Sequence, residues 1–168
     1  VTIDMDGHAL VGPGANSHHG ISQASTFRNL RVHNGKVVQW RGASKTGVLT
    51  LGKNNQFDHI QAATNTYGIY GAFGSTISDC SAYKNSDDGI WADDGATISG
   101  CTASENSGDG IWADDGSTIS GCSASYNSGD GIRTSNDSQL TGNTCDSNGY
   151  NAGDGAGIHV TGPDNRID

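Results

Sequence analysis

Residues 89–109 read GIWADDGATISGCTASENSGD, and residues 110–130 read GIWADDGSTISGCSASYNSGD. These are consecutive copies of one 21-residue unit. Gly-Ile heads both, and the pair returns at Gly68-Ile69 and Gly131-Ile132, so Ile69, Ile90, Ile111 and Ile132 stand 21 apart. The same step links Ile77, Ile98, Ile119 and Leu140; Cys80, Cys101, Cys122 and Asn143; Ala82, Ala103, Ala124 and Cys145; and Asn85, Asn106, Asn127 and Asn148. Self-similarity at a short fixed period marks a fold made by stacking one unit.

Away from the two copies the pattern loosens. Phe57, Ile60, Ala62 and Asn65 keep the internal offsets, one residue out of phase, and Phe27, Leu30 and Val32 keep the first two. Gly20-Ile21, Gly47-Val48 and Gly157-Ile158 extend the Gly-Ile column, which gives about seven coils. The first and last spacings are 27 and 26, so loops are expected in those steps. The chain divides into irregular coils over 1–66, regular 21-residue coils over 67–150 and an irregular last coil over 151–168, all in one domain. Its start, Val1-Thr2-Ile3, reads as the middle of a strand and raises the expectation of a fragment of a longer chain.

One copy cannot fold alone. It buries about three apolar side chains, at about 1.5–3 kcal/mol each, against about 1–2 kcal/mol of backbone entropy per residue. Burial must come from stacking. Each copy holds three short alternating runs, as in Ile90-Trp91-Ala92, Thr97-Ile98-Ser99 and Cys101-Thr102-Ala103. Alternation sends Ile90, Ala92, Ile98, Cys101 and Ala103 inward and Trp91, Thr97, Ser99 and Thr102 outward. Gly, Asp and Asn fall between the runs, where the chain must turn. Three strands and three turns per copy describe an all-β parallel solenoid with coils about 4.8 Å apart. Hexapeptide and nonapeptide solenoids need other periods. Composition agrees: Gly, Ser, Thr, Asn and Asp supply 90 of 168 residues, and Glu occurs once, at Glu105. Helical bundles and coiled coils are excluded by that scarcity of helix formers.

The block from Ile119 to Ile132, of the form I-x-G-[NC]-x-[AC]-x-x-N-x-x-D-G-I, resembles right-handed parallel β-helix repeat proteins of the NosD-like and pectate-lyase-like superfamily. The opening VTIDMDGHALVG and the close GAGIHVTGPDNRID resemble secreted bacterial members of it, most of unknown function. The resemblance covers nearly the whole chain. It implies a right-handed parallel β-helix in an extracellular or cell-surface setting, and leaves function open because the scaffold carries lyases, epimerases, hydrolases and structural domains.

Five kinds of column remain to be assigned. Asn85, Asn106, Asn127 and Asn148 are expected to form an amide ladder inside a turn. Cys80, Cys101 and Cys122 point inward, either as buried thiols acting as small apolar groups or as a disulfide between coils. Asp88, Asp109 and Asp130 form one acidic row and Asp93 and Asp114 another. Stacked carboxylates repel, so either solvated turn corners or a hard cation, Ca2+, must offset the repetition. Tyr70, Trp91, Trp112 and Arg133 form an outward column. Such a column fits a glycan, another protein chain or a covering loop. The Thr/Ser positions Thr97, Ser99, Thr118 and Ser120 read as ordinary solvated strand surface or, less simply, an ice-binding lattice.

The net charge of −9 and the nine Lys plus Arg disfavour nucleic acid, and no apolar run reaches membrane-span length. Motifs for a Ser-His-Asp triad, a phosphate loop or zinc are missing. His18, His19, His33, His59, Arg28, Arg31, Arg41 and Lys45 sit in the irregular coils, and Arg133 beside Asp114 is the one loose catalytic pairing in the regular ones. The function expected from sequence is therefore an extracellular, non-catalytic structural or binding module. It would associate with itself, end to end or laterally, or bind polysaccharide. The alternative is a polysaccharide-active lyase, C5-epimerase or glycoside hydrolase.

Overall fold

Along the described coils the chain turns three kinds of corner, each built on a residue with left-handed backbone. One corner uses Asn34, His59, Asp79, Gly100, Gly121 and Gly142, and another uses Asn29, Asn54, Gly74, Gly95, Gly116, Asp137 and Asp164, all at positive φ. Gly pays no steric cost there and Asn or Asp a small one, which accounts for much of the compositional skew. The third corner uses Gln39, Thr64, Lys84, Glu105, Tyr126 and Ser147, also at positive φ. From Thr64 onward the residue after each pivot belongs to the Asn row. The amides of that row tie the corner down, which offsets a strain of about 1–2 kcal/mol per non-glycine residue.

The computed structural model describes residues 1–15, 18–150 and 155–168. Its strands are all parallel and form two sheets. The smaller has seven strands: Ile21–Gln23, Thr46–Thr50, Tyr67–Gly71, Ile90–Ala92, Ile111–Ala113, Ile132–Thr134 and Ile158–Val160. The larger has thirteen. In the regular coils it runs as two limbs, through Thr97–Ser99 and Thr102–Ser104 for example, and these are fused in the irregular coils by the long strands Arg31–Arg41 and Gln56–Ala63. The chain is thus a parallel β-solenoid whose smaller sheet is crossed seven times. Among the described residues no helix is long and apolar enough to cross a membrane.

The inward assignments hold. Ile69, Ile90, Ile111 and Ile132 pair in register and are buried, as are Ile98, Ala92, Cys101 and Ala103. One register differs from the sequence reading. Val32, not Phe27, occupies the Phe57 column, and Phe27 is 64% exposed. The offsets three and two occur twice, at Phe27-Leu30-Val32 and at Val32-Gly35-Val37, and the core takes the second because Val32 and Val37 then bury completely. Gly35 then stands opposite Ile60, and Met5 fills the space its missing side chain leaves. In the first long step, most of the added residues form the corner between Val37 and Val48, around Gly42–Lys45. The insertion expected before Ile158 lies partly outside the described residues.

The Asn ladder is present in full. The side-chain amide of Asn85 donates to Oδ1 of Asn106 at 2.9 Å, Asn106 to Asn127 at 2.9 Å and Asn127 to Asn148 at 2.9 Å. Each Oδ1 also accepts the backbone N–H of the preceding rung, and each Nδ2 donates to a carbonyl such as Ala82 O or Ala103 O. The four cysteines are free thiols. Cys80, Cys101 and Cys122 are buried, and each Sγ–H meets a backbone carbonyl two residues back.

Candidate functional site

The outer face of the smaller sheet carries one continuous column. Register places Leu49, Tyr70, Trp91, Trp112, Arg133 and His159 side by side on successive strands. Alternation forces them outward because Val48, Ile69, Ile90, Ile111 and Ile132 fill the core between them. The rings use one another as partners. Trp91 and Trp112 stack at 5.1 Å between centroids and 12° between planes. Tyr70 meets Trp91 edge-on at 5.1 Å, and the Arg133 guanidinium lies 4.7 Å over the Trp112 ring. The tryptophan faces are therefore half-buried against neighbours along the axis, and the ring edges turn toward solvent. This differs from the open row of flat faces that strand alternation alone implies, because in-register rings about 4.8 Å apart pack on each other before they pack on anything else.

Acidic rows flank the column. On one side Tyr70 Oη lies 2.8 Å from both carboxylate oxygens of Asp93, and Trp112 Nε1 donates to Asp114 Oδ1 at 3.1 Å. The Trp91 N–H also draws on Asp114 but reaches no hydrogen-bond geometry. Burial pushes Asp93 and Asp114 above the usual carboxylate range. On the other side Asp88, Asp109 and Asp130 make a second ladder. Oδ1 of Asp88 accepts the Asp109 backbone N–H at 2.7 Å, Asp109 accepts Asp130 N–H at 2.7 Å, and Asp130 accepts Ala156 N–H at 2.7 Å. All three are buried. Burial, opposed by the Asp109 amide, raises Asp88 to about 7, and burial also raises Asp109. Amide donors and proton uptake thus offset the repulsion that stacked Asp implies. Among the described residues no three His, Cys, Asp or Glu side chains converge as a metal site, and one oxygen of each carboxylate in this row is committed to the backbone.

Two recesses open at the ends of the column. The first, about 290 Å³, is walled by Tyr67, Tyr70, Trp91, Leu49 and Leu51, with His19, Ser44 and Thr46 at its rim. It exists because the column changes from Leu49 to Tyr70, and because the added corner at Gly42–Lys45 brings Ser44 over the sheet. Nδ1 of His19 accepts the Thr46 backbone N–H at 3.1 Å, and burial, with Lys45 nearby, lowers its pKa. His19 is therefore a neutral N–H donor at the rim. Tyr67, whose hydroxyl is hydrogen-bonded to Asp87, has its pKa raised to about 12. The second recess, about 210 Å³, is lined by Asp109, Asp130, Arg133, His159, Gly129 and Gly155. There His159 Nδ1 lies 2.7 Å from Asp130 Oδ2, and Arg133 Nη1 lies 3.9 Å from Asp109 Oδ2.

The structure thus gathers Tyr70, Trp91, Trp112, Arg133, Asp88, Asp109, Asp130, Asp93 and Asp114 on one face. Asn85, Asn106, Asn127, Asn148, Cys80, Cys101 and Cys122 are structural rows inside the coil. Tyr67 and His159 belong to the same face and were missed in the sequence, and His19, one of the groups noted in the irregular coils, lies on it too. The signal for His159 was there: reading the position after Gly-Ile one coil further leads from Arg133 to it.

The model for the right-handed β-helix region matches residues 14–145 and 92–167. No curated protein matches the chain by sequence. Among solved structures, pectate lyase Pel9A is similar at a TM-score of 0.53 and 17% identity, over 82% of this chain and 55% of that one. The A-module of the Azotobacter vinelandii mannuronan C-5 epimerase AlgE4 is similar at 0.52 and 10% identity, over 99% and 78%. This chain therefore spans about half the length of the pectate lyase, and at these identities the likeness is one of fold. With the family model covering most of its length, the chain belongs to the right-handed β-helix family.

Proposed function

We propose that the chain is an extracellular glycan-binding β-helix module whose contact face is the outer surface of the smaller sheet. The observation that carries this is the aromatic recess. Tyr67, Tyr70 and Trp91 wall a concave space of about 290 Å³ whose rim holds neutral hydrogen-bonding groups, Ser44, Thr46 and His19. Apolar walls with a few directed polar groups are what a sugar ring needs. The stacked Trp91–Trp112 edges, with Asp93 and Asp114 as acceptors beside them, extend the surface along the axis. The scaffold supports the choice of ligand, since a pectate lyase and a mannuronan epimerase are built on it.

Titration calorimetry against a panel of neutral and acidic oligosaccharides tests this. Neutral glycans are expected to bind. Tyr67→Ala and Trp91→Ala are each expected to weaken binding at least tenfold, and Lys84→Ala, on another side of the coil, to leave it unchanged. Equal binding by all three variants would refute the site. The second recess favours a further reading, an enzyme acting on polysaccharide.

A further inference from the structure

The second recess interrupts the repeat. Where two coils carry Trp, the next two carry Arg133 and His159, and the buried Asp row ends beneath them. Asp130 is fixed on both oxygens, by the Ala156 N–H on Oδ1 and by His159 on Oδ2. In the tautomer whose Nδ1–H donates to Asp130 Oδ2, the Nε2 lone pair of His159 is free. The His159 side chain is 47% exposed, against 8% for Asp130. Arg133 is held in place by Trp112 beneath it and Asp109 beside it, with guanidinium N–H groups to spare. A base oriented by a buried carboxylate therefore lines the same recess as a fixed cation.

We propose that this recess is a hydrolytic acid–base site for an ester carried by a neutral glycan seated on the aromatic column. His159 transfers the proton, Arg133 stabilises the oxyanion and Asp130 positions His159. Its substrate rests on the glycan reading above. Water gives a proton to His159 Nε2 as its oxygen bonds to the ester carbonyl carbon. The carbonyl π pair moves onto oxygen, beside Arg133. That pair then re-forms the carbonyl, the bond to the alcohol oxygen breaks, and the leaving oxygen takes the proton back from Nε2. Acid and alcohol are the products, and water is the only co-reactant.

Two other chemistries fit less well. Glycoside hydrolysis needs two carboxyl groups free to act on opposite sides of the bond. Here Asp109 and Asp130 each have one oxygen on a backbone N–H, and the other oxygen of Asp130 is taken by His159. Proton abstraction beside a carboxylate would bring an anion against these two carboxyls. Residues 67–168 hold fifteen of the eighteen acids and only three of the nine Lys and Arg, so that anion would be repelled. A neutral ester develops its charge only in the transition state, where Arg133 meets it.

The test measures hydrolysis of p-nitrophenyl acetate and acetate release from an O-acetylated neutral mannan, with mannan binding measured separately. His159→Gln is expected to lower both rates at least ~100-fold. His8→Gln, an exposed control remote from the recess, is expected to leave them unchanged. Asp130→Asn keeps the acceptor for Ala156 but turns a donor toward Nδ1, so it should lower kcat and move the His159 proton from Nδ1 to Nε2 in the 15N NMR spectrum. Arg133→Gln should lower kcat more than it raises KM. In the unaltered protein, 15N NMR should find His159 protonated on Nδ1 and bare on Nε2 at neutral pH. The opposite tautomer, or rates unchanged in His159→Gln, overturns the proposal. His159-dependent hydrolysis of the small ester without mannan binding supports the acid–base site and refutes the glycan reading alone. Mannan binding without His159-dependent hydrolysis overturns the site and leaves the glycan reading standing.

Discussion

Asp88→Asn isolates the energetic role of the buried acidic row. Asp88 is 7% exposed, and its carboxyl rises from 3.8 to about 7, mainly because burial penalises the charge. Between those values the folded chain holds a proton that the unfolded chain has released. Stability is therefore fully present below pH 3.8 and is lost as pH rises through 7. Three pKa units at about 1.4 kcal/mol each set a ceiling of about 4 kcal/mol. Residual water contact and relaxation reduce it, so about 2 kcal/mol is expected. Asn keeps an oxygen to accept the Asp109 N–H and carries no charge. Asp88→Asn should therefore match the parent near pH 4 and exceed it by about 2 kcal/mol near pH 8.5. Urea denaturation across that range measures the difference. A difference that does not change with pH, or a variant weaker than the parent at pH 8.5, refutes the reasoning.

Three further outcomes follow from the rows. Asn106→Ala removes the acceptor of the Asn85 backbone N–H and the donor to Ala82 O inside a buried corner, and should cost about 2–4 kcal/mol in a denaturant titration. Gly108→Ala puts a Cβ against Asp88 Oδ1 and the Asp88 backbone nitrogen; a loss of about 1–3 kcal/mol is expected, and a neutral result would mean that the acidic ladder is loosely packed. For the thiols, Cys122 is pushed up by its Cys101 partner and by burial, and Cys145 is raised to about 11 by burial. A thiol reagent at pH 8 should label half-buried Cys145 slowly in the folded chain and all four cysteines in denaturant; fewer than four would reveal a disulfide.

The regular coils were legible because each column repeats one physical demand. Ile at Ile90, Ile111 and Ile132 fills the same slot, and Asn at Asn85, Asn106 and Asn127 ties the same corner. Where a demand occurs only once, the pattern is silent. Phe27-Leu30-Val32 and Val32-Gly35-Val37 carry the same spacing, and only packing, the burial of Val32 and Val37 with Met5 over Gly35, decides between them. The column Tyr70 to Arg133 was identified as a surface, but the stacking of its rings depends on side-chain rotation, which strand alternation does not encode. The two Asp rows look alike in sequence. They differ because one borders Tyr70 and Trp112 hydrogen-bond donors while the other lies over backbone N–H groups. His159 stood one coil beyond the regular repeat, directly after Gly157-Ile158, where a lone His in an irregular coil repeats no neighbour's side chain.

The corner that precedes the Asn ladder sets one position per coil apart from the rest. Gln39, Thr64, Lys84, Glu105, Tyr126 and Ser147 share no size, charge or polarity, yet all hold the same left-handed backbone, and most are exposed. From Thr64 on, the neighbouring amides fix the shape, so the pivot itself is left open to substitution. Lys84 and Glu105 already behave as adjacent characters on that line, paired at 3.6 Å. The solenoid therefore carries a built-in ruler with marks about 4.8 Å apart. Chosen groups written along it would be displayed in a straight, evenly spaced file.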